Sequence, residues 1–301
     1  LAFLGGLFGG NYNKPGPGVN KDEPLKSAPV RFFEILWRKL SKIIQLNLIF
    51  LIPTVVVVVL MAVLFLVPYR LTLLLPIGGI EFEIKFWELY VVPLPIIFLS
   101  PFIAGLTIVT RNFVREEHAF VLSDFFDSVK SNFKLFFLNG IICYIAYTVI
   151  SFSLIYYYAS ALTNSIFYIP LYLCLLIAVI FIFAQFYLPI LIITFDLKLR
   201  YMYKNALIFA FLGLARNLLI TAYIALILFL YIYVALSLPI AFLIMAVFTI
   251  VILFSFTSYF VSFATYSLID KFIIRQVDKK DEAENISQID EDSDYLDDEE
   301  F

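Results

Sequence analysis

His118 is the chain's single histidine, in the run Arg115-Glu116-Glu117-His118. An imidazole beside two carboxylates has the residue types of a metal site or a general base. A metal needs several ligands converging on one point, and neighbouring positions on a helix point in different directions. On a helix, His118 also falls on the apolar line of Val114 and Phe125, so packing is the expected role. No dinucleotide, phosphate-loop, zinc-protease or nucleophile-elbow pattern occurs. The glycines of GGLFGG at 5–10 have no strand before them and no Lys-Ser/Thr after them. PGPG at 15–18 is a rigid turn that breaks any helix and suits a docking epitope.

The remaining polar chemistry sits in stretches without charge. Leu46–Tyr69, Leu89–Thr110, Leu135–Phe195 and Asn217–Ile269 contain no Asp, Glu, Lys, Arg or His. That excludes the paired aspartates or Ser-His pair of an intramembrane protease. It also removes the ionisable groups that ion-coupled transport normally places inside a bundle. Gln185 is the deepest strongly polar side chain, and Asn139 lies nearer the inner face. Such amides commonly tie helices together. With hydroxyls and aromatics they also recognise neutral solutes such as sugars. The nineteen tyrosines, including Tyr156-Tyr157-Tyr158, suit that role or an ordinary interfacial belt. No enzyme activity, metal or cofactor is expected.

These residues must be positioned by membrane helices, since apolar residues make up 62% of the chain. A span takes about 20 apolar residues. The first two stretches therefore predict one helix each and the last two predict a pair each, broken at Leu162-Thr163-Asn164-Ser165 and Ser237-Leu238-Pro239. The predicted spans are 46–68, 89–109, 135–160, 169–195, 217–237 and 240–269. With both termini inside, nineteen of the 21 basic residues fall on the inner side, leaving Arg70 and Lys85 outside. Short inner loops are enriched in Lys and Arg, which sets the orientation. The opening LAFLGGLFGG has no basic region before it and leads into NYNKPGPG, so no cleavable signal peptide is expected. Cys143 and Cys174 belong to adjacent spans and are expected to pack unpaired.

The fold class expected is an all-α membrane protein: six transmembrane helices as three hairpins, joined by cytoplasmic amphipathic helices. Residues 1–29 form an extended cytoplasmic segment, 30–275 the six-helix domain with its interfacial helices, and 276–301 a tail too acidic to order itself. Residues 30–45 place Phe33, Leu36, Trp37, Leu40 and Ile44 on one face and Arg31, Glu34, Arg38 and Lys42 on another. Residues 111–134 repeat that pattern. The connector before Arg216 is too short to span and would lie in the interface or pack beneath the bundle. Asn47, Asn132 and Asn217 recur every 85 residues, and Pro101 and Pro189 fall late in the second and fourth spans. A threefold repeat follows if this spacing is structural; chance spacing is the alternative. Outside, Ile80–Phe86 alternates apolar and polar residues after Gly78-Gly79, which predicts a hairpin.

NYNKPGPGVNKDEP at 11–24, followed by FFEILWRKLSKIIQLNL, resembles the amino-terminal signature of the YesL-like family (domain of unknown function 624). The likeness continues through Pro101 and TRNFVREEHAFVLSDFFDSVKSNFK, covering about residues 11–140. The resemblance implies a Gram-positive plasma membrane and genomic company with carbohydrate ABC importers and polysaccharide-degrading enzymes. It implies no catalytic residues. The expected function is thus a non-catalytic accessory or scaffold subunit of a bacterial membrane complex, associated with a carbohydrate ABC importer. The alternative is a transporter or channel for a neutral solute such as an oligosaccharide, since Pro53, Pro101 and Pro189 can open backbone carbonyls toward a cavity. Partner contact is expected on the cytoplasmic face, through Pro15, Pro17, Lys21, Asp22, Glu23, Arg31, Arg38 and Lys42. Arg115, Glu116, Glu117, His118, Asp124 and Asp127 of the first connector join them. The alternative is that these charges hold the inner helices to one another.

Overall fold

In hydrocarbon the backbone must satisfy its own hydrogen bonds, so uncharged stretches of this length become helices. The computed structural model describes residues 27–66, 72–77, 80–237 and 239–276. Six helices among them are long and apolar enough to cross a membrane: Ala28–Phe65, Leu89–Val114, Val121–Ala161, Ser165–Thr194, Leu214–Ser237 and Ala241–Ile274. The predicted spans all fall within or against these six. Pro15, Pro17, Lys21, Asp22, Glu23 and the acidic tail lie outside the described residues. By internal contacts the chain divides at Arg38. In the first part the Phe32 and Phe33 rings meet edge-on, 5.3 Å apart; the rest of the description concerns residues from Lys39 onward.

Helix α1 (Ala28–Phe65) runs without interruption through the stretch expected as an interfacial helix and on through Pro53. Strands β1 (Thr72–Ile77) and β2 (Ile80–Lys85) form the expected hairpin, antiparallel with Thr72 opposite Lys85 and Ile77 opposite Ile80. A single wide turn, Trp87–Val91, leads into α2 (Pro95–Val114). Helix α3 (Val121–Ala161) is 41 residues long, joining the predicted connector helix to the predicted third span. Nothing between 121 and 161 breaks a helix: there is no proline, and the polar run Ser128–Lys134 keeps helical phase. Asn164 ends the turn that follows, its side chain accepting from the Ile166 N–H. Helix α4 (Tyr168–Thr194) contains Pro189. Then come α5 (Leu199–Leu212), α6 (Leu214–Ser237), α7 (Pro239–Phe248), a wide π-type turn (Thr249–Leu253) and α8 (Phe254–Ile269).

Helices α2 and α3 approach closely because small residues line their contact. The Ser100 hydroxyl donates to the Phe136 carbonyl at 2.6 Å, and the Ser128 hydroxyl to the Ala104 carbonyl at 3.2 Å. A β-carbon on Gly140 would stand 2.7 Å from the Ser100 β-carbon and 3.1 Å from the Ile96 carbonyl oxygen. Close backbone approach of this kind replaces the missing hydrophobic drive between membrane helices. The main apolar core joins α4 to α5: Phe183, Tyr187, Leu188 and Leu191 pack with Met202, Ala206 and Phe209. The short connector α5 is therefore part of the core.

Candidate functional site

The sequence run around His118 does not form one helix. Helix α2 stops at Val114, and the chain reverses through Glu116 in the left-handed region at φ 60°. The Glu116 N–H donates to the Phe113 carbonyl and the Glu117 N–H to the Asn112 carbonyl, the paired bonds of a Schellman stop. Glycine usually occupies the left-handed position, and its absence hides the stop from a sequence reading. His118 is exposed and its ring sits 4.5 Å from that of Phe120. It is off the apolar line expected for it. Arg115 pairs with Glu117 at 2.7 Å. Asp124 accepts from the Phe120 N–H at 3.0 Å and stabilises the start of α3. Lys42 donates to the Ala119 carbonyl, and Asp127 is exposed. Among the described residues no group of three His, Cys, Asp or Glu side chains is placed to hold a metal ion.

Basic side chains close the helix ends on this same face. Arg111 donates to the Ile193 carbonyl and the Thr194 hydroxyl at the C-terminus of α4. Arg216 donates to the Ala264 carbonyl and the Ser267 hydroxyl near the end of α8. The last carbonyls of α4 lack intrahelical donors and carry partial negative charge, so the Arg111 guanidinium suits them. Arg115 also lies over the Tyr266 ring, and Lys39 over Phe113.

Deeper in the bundle the two amides singled out in the sequence meet. Asn139 donates to the Gln185 side-chain oxygen at 3.3 Å, Gln185 donates to the Tyr203 hydroxyl at 3.5 Å, and Tyr203 donates to Asn139 Oδ1. This ring links α3, α4 and α5, and the Cys143 thiol points at its Asn139 corner, 3.9 Å away. Burial pushes the Tyr203 phenol well above its ordinary range, partly offset by Gln185. It therefore stays protonated and acts as donor. Tyr203 was the member that sequence reasoning missed; it belongs to the connector, where no transmembrane pattern draws attention to it. Both cysteines are free thiols.

Gln185 also lines a cavity of about 450 Å³ where α1, α2, α4, α6 and α8 converge. Two irregular backbone segments reach it. Pro189 has no N–H to return to the Gln185 carbonyl four residues earlier. On the other side, the π-type turn delivers Leu253 and Phe254 to the wall. Asn47, fully buried in α1, holds that turn: its amide donates to the Thr249 and Ile250 carbonyls at 2.9 and 2.8 Å, and its oxygen accepts from the Ser255 N–H at 3.0 Å. Asn132 instead bonds within its own helix, to Ser128 and Ser131. Asn217 donates to the Ala210 carbonyl, while its side-chain oxygen and the Tyr187 hydroxyl are buried without a hydrogen-bond partner. The equal spacing of the three asparagines does not give equal bonding.

Residues 43–154 match the family model described as a protein of unknown function, DUF624. The YesL-like resemblance is shown over that stretch. No curated protein and no solved structure matches the chain. The matched stretch begins after the proline-rich signature at 11–24 and extends beyond residue 140 to Leu154. It carries Asn47, the hairpin, α2 and the Asn139 corner of the amide ring. Gln185, Tyr203 and the α4, α6 and α8 walls of the cavity lie outside it.

Proposed function

We propose that the protein is a non-catalytic accessory or scaffold subunit of a bacterial plasma-membrane complex, associated with a carbohydrate ABC importer. The supporting observation is the sparse packing of the fifth span and of the first part of the sixth. Only Asn217 and Ile220 of α6 are buried, and none of residues 241–248 in α7. Phe229, Ile232, Leu243, Ile244 and Val247 form lateral surface open to lipid or to another membrane protein. The importer itself is taken from the genomic company that the YesL-like resemblance implies. Affinity purification in mild detergent after growth on inducing polysaccharide, with mass spectrometry, tests this. Importer subunits are expected in the eluate; recovery of the chain alone across several detergents would overturn the reading.

The accompanying arrangement is three hairpins with both termini cytoplasmic and the Arg115–Asp127 connector facing the partner. Single cysteines at the exposed positions Glu81 and Asp127, in a cysteine-free background, are expected to label from outside and inside respectively. Charge reversal at Glu116 and Glu117 is expected to weaken co-purification while leaving the isolated protein's melting temperature nearly unchanged. A large fall in melting temperature would make these residues internal structure instead. A second reading, passage of a neutral solute, is favoured by the cavity beside Gln185. Uptake of oligosaccharide into proteoliposomes tests it.

A further inference from the structure

The cavity has a composition that selects its ligand. None of the residues lining it carries a formal charge. A charged ligand there would leave water without a counter-charge, which is strongly unfavourable. Most of the wall is apolar, from residues such as Phe50, Ile103 and Phe254. A free sugar would bury many hydroxyls against hydrocarbon and leave them unpaired.

The polar lining residues are Thr107, Gln185, Tyr223, Thr257, Ser258 and Ser262, of which Thr107 bonds to the Ile103 carbonyl and the two serines to Thr110. The Tyr223 and Thr257 hydroxyls bond to each other at 3.0 Å, which uses one of their two protons and leaves the other to donate. The Gln185 carbonyl has lost its helical donor to Pro189. Backbone opened by proline and by π-type turns is how membrane helices offer hydrogen bonds to a bound solute. Here both devices reach one cavity, and Asn47 fixes one of them from a third helix. Ile103 and Leu228 line the cavity and are exposed, which suits entry from the side.

We propose that this cavity binds an uncharged amphiphile, a hydroxyl-bearing head joined to a hydrocarbon body, entering laterally from the bilayer. The head donates to the Gln185 carbonyl and accepts from the Tyr223–Thr257 pair. The body lies along Phe50, Ile103 and Phe254. At about 450 Å³ the site holds a compact ligand or one end of a long-chain one. The inference deepens the solute-passage reading, but its test measures occupancy, so failure of transport does not affect it.

The experiment is photolabelling of the full chain in nanodiscs with a diazirine-bearing monoacylglycerol. A diazirine fatty acid and a diazirine phosphatidylcholine of matched chain length serve as charged comparisons. The expected result is labelling concentrated in peptides covering 185–190 and 253–258, at least fivefold above either comparison and competed by unlabelled monoacylglycerol. A diazirine diacylglycerol resident in the bilayer separates the two sources of such a ligand: labelling by it as well marks a membrane lipid, and labelling by the single-chain probe alone marks a solute. Ile227→Trp, which fills the cavity from α6, is expected to reduce the labelling severalfold with an unchanged melting temperature. If that variant does not hold its fold, Phe254→Ala, which removes wall, is expected to shift the labelled positions. Equal labelling by the charged probes, or labelling spread evenly over lipid-facing helices, would overturn the proposal.

Discussion

Replacing Asn47 with alanine removes three backbone hydrogen bonds at once, two to the π-type turn and one to Ser255 in the first turn of α8. Two carbonyls and one N–H would then face hydrocarbon and side chains rather than water. Side-chain hydrogen bonds in membrane proteins average about 0.6 kcal/mol and reach about 1.7. Three of them give a loss of about 2 to 5 kcal/mol, the upper part applying if the turn cannot rewind to pair its own groups. Asn132 bonds only within its helix, so Asn132→Ala is expected to cost under about 1 kcal/mol, and Asn217→Ala should fall between. Equilibrium unfolding in mixed dodecyl sulfate micelles ranks the three variants. Hydrogen exchange localises the effect, because the Ser255 amide loses its acceptor and its peptide should exchange at least tenfold faster. An Asn47→Ala loss no larger than that of Asn132→Ala, or an unchanged rate at Ser255, would refute the role assigned to Asn47.

Gly140→Val should destabilise the α2–α3 contact by about 1–3 kcal/mol through overpacking, since part of what its side chain meets is backbone; thermal unfolding reads this. Glu116→Gly relieves a left-handed non-glycine residue and should raise stability by about 1 kcal/mol, measured in the same way. Tyr203 has its proton held more tightly folded than unfolded, so its contribution is present below the ordinary tyrosine range and is lost as pH rises through the folded value. Melting temperature should stay flat near neutrality and fall above about pH 10, and Tyr203→Phe should be lower at neutral pH and flatten that fall.

The spans were legible because charge-free stretches have one solution in hydrocarbon, and the hairpin because its residues alternate. Helix limits were less so. Residues 111–134 and 135–160 read as two elements since one is amphipathic and the other uniformly apolar, yet nothing breaks the backbone between 134 and 135. The reverse holds at Arg115–Phe120, where helical spacing continues across a chain reversal formed on glutamate. The π-type turn in TIVIL has no proline or glycine to announce it, and the side chain that bonds to it, Asn47, lies about two hundred residues earlier. The amide ring was half visible, as Asn139 and Gln185 stood out against apolar neighbours while Tyr203 was one tyrosine among nineteen.

Helix α3 has a mechanical consequence. At about 1.5 Å per residue, its 41 residues make a rod of about 60 Å, roughly twice the hydrocarbon thickness of about 30 Å. Without a proline it has no joint, so a tilt imposed at one end is passed undiminished to the other. A rotation of about 10° would sweep the tip by roughly 10 Å. The Ser128–Ala104 and Ser100–Phe136 bonds clamp this lever to α2 at two heights, so the two helices must tilt together.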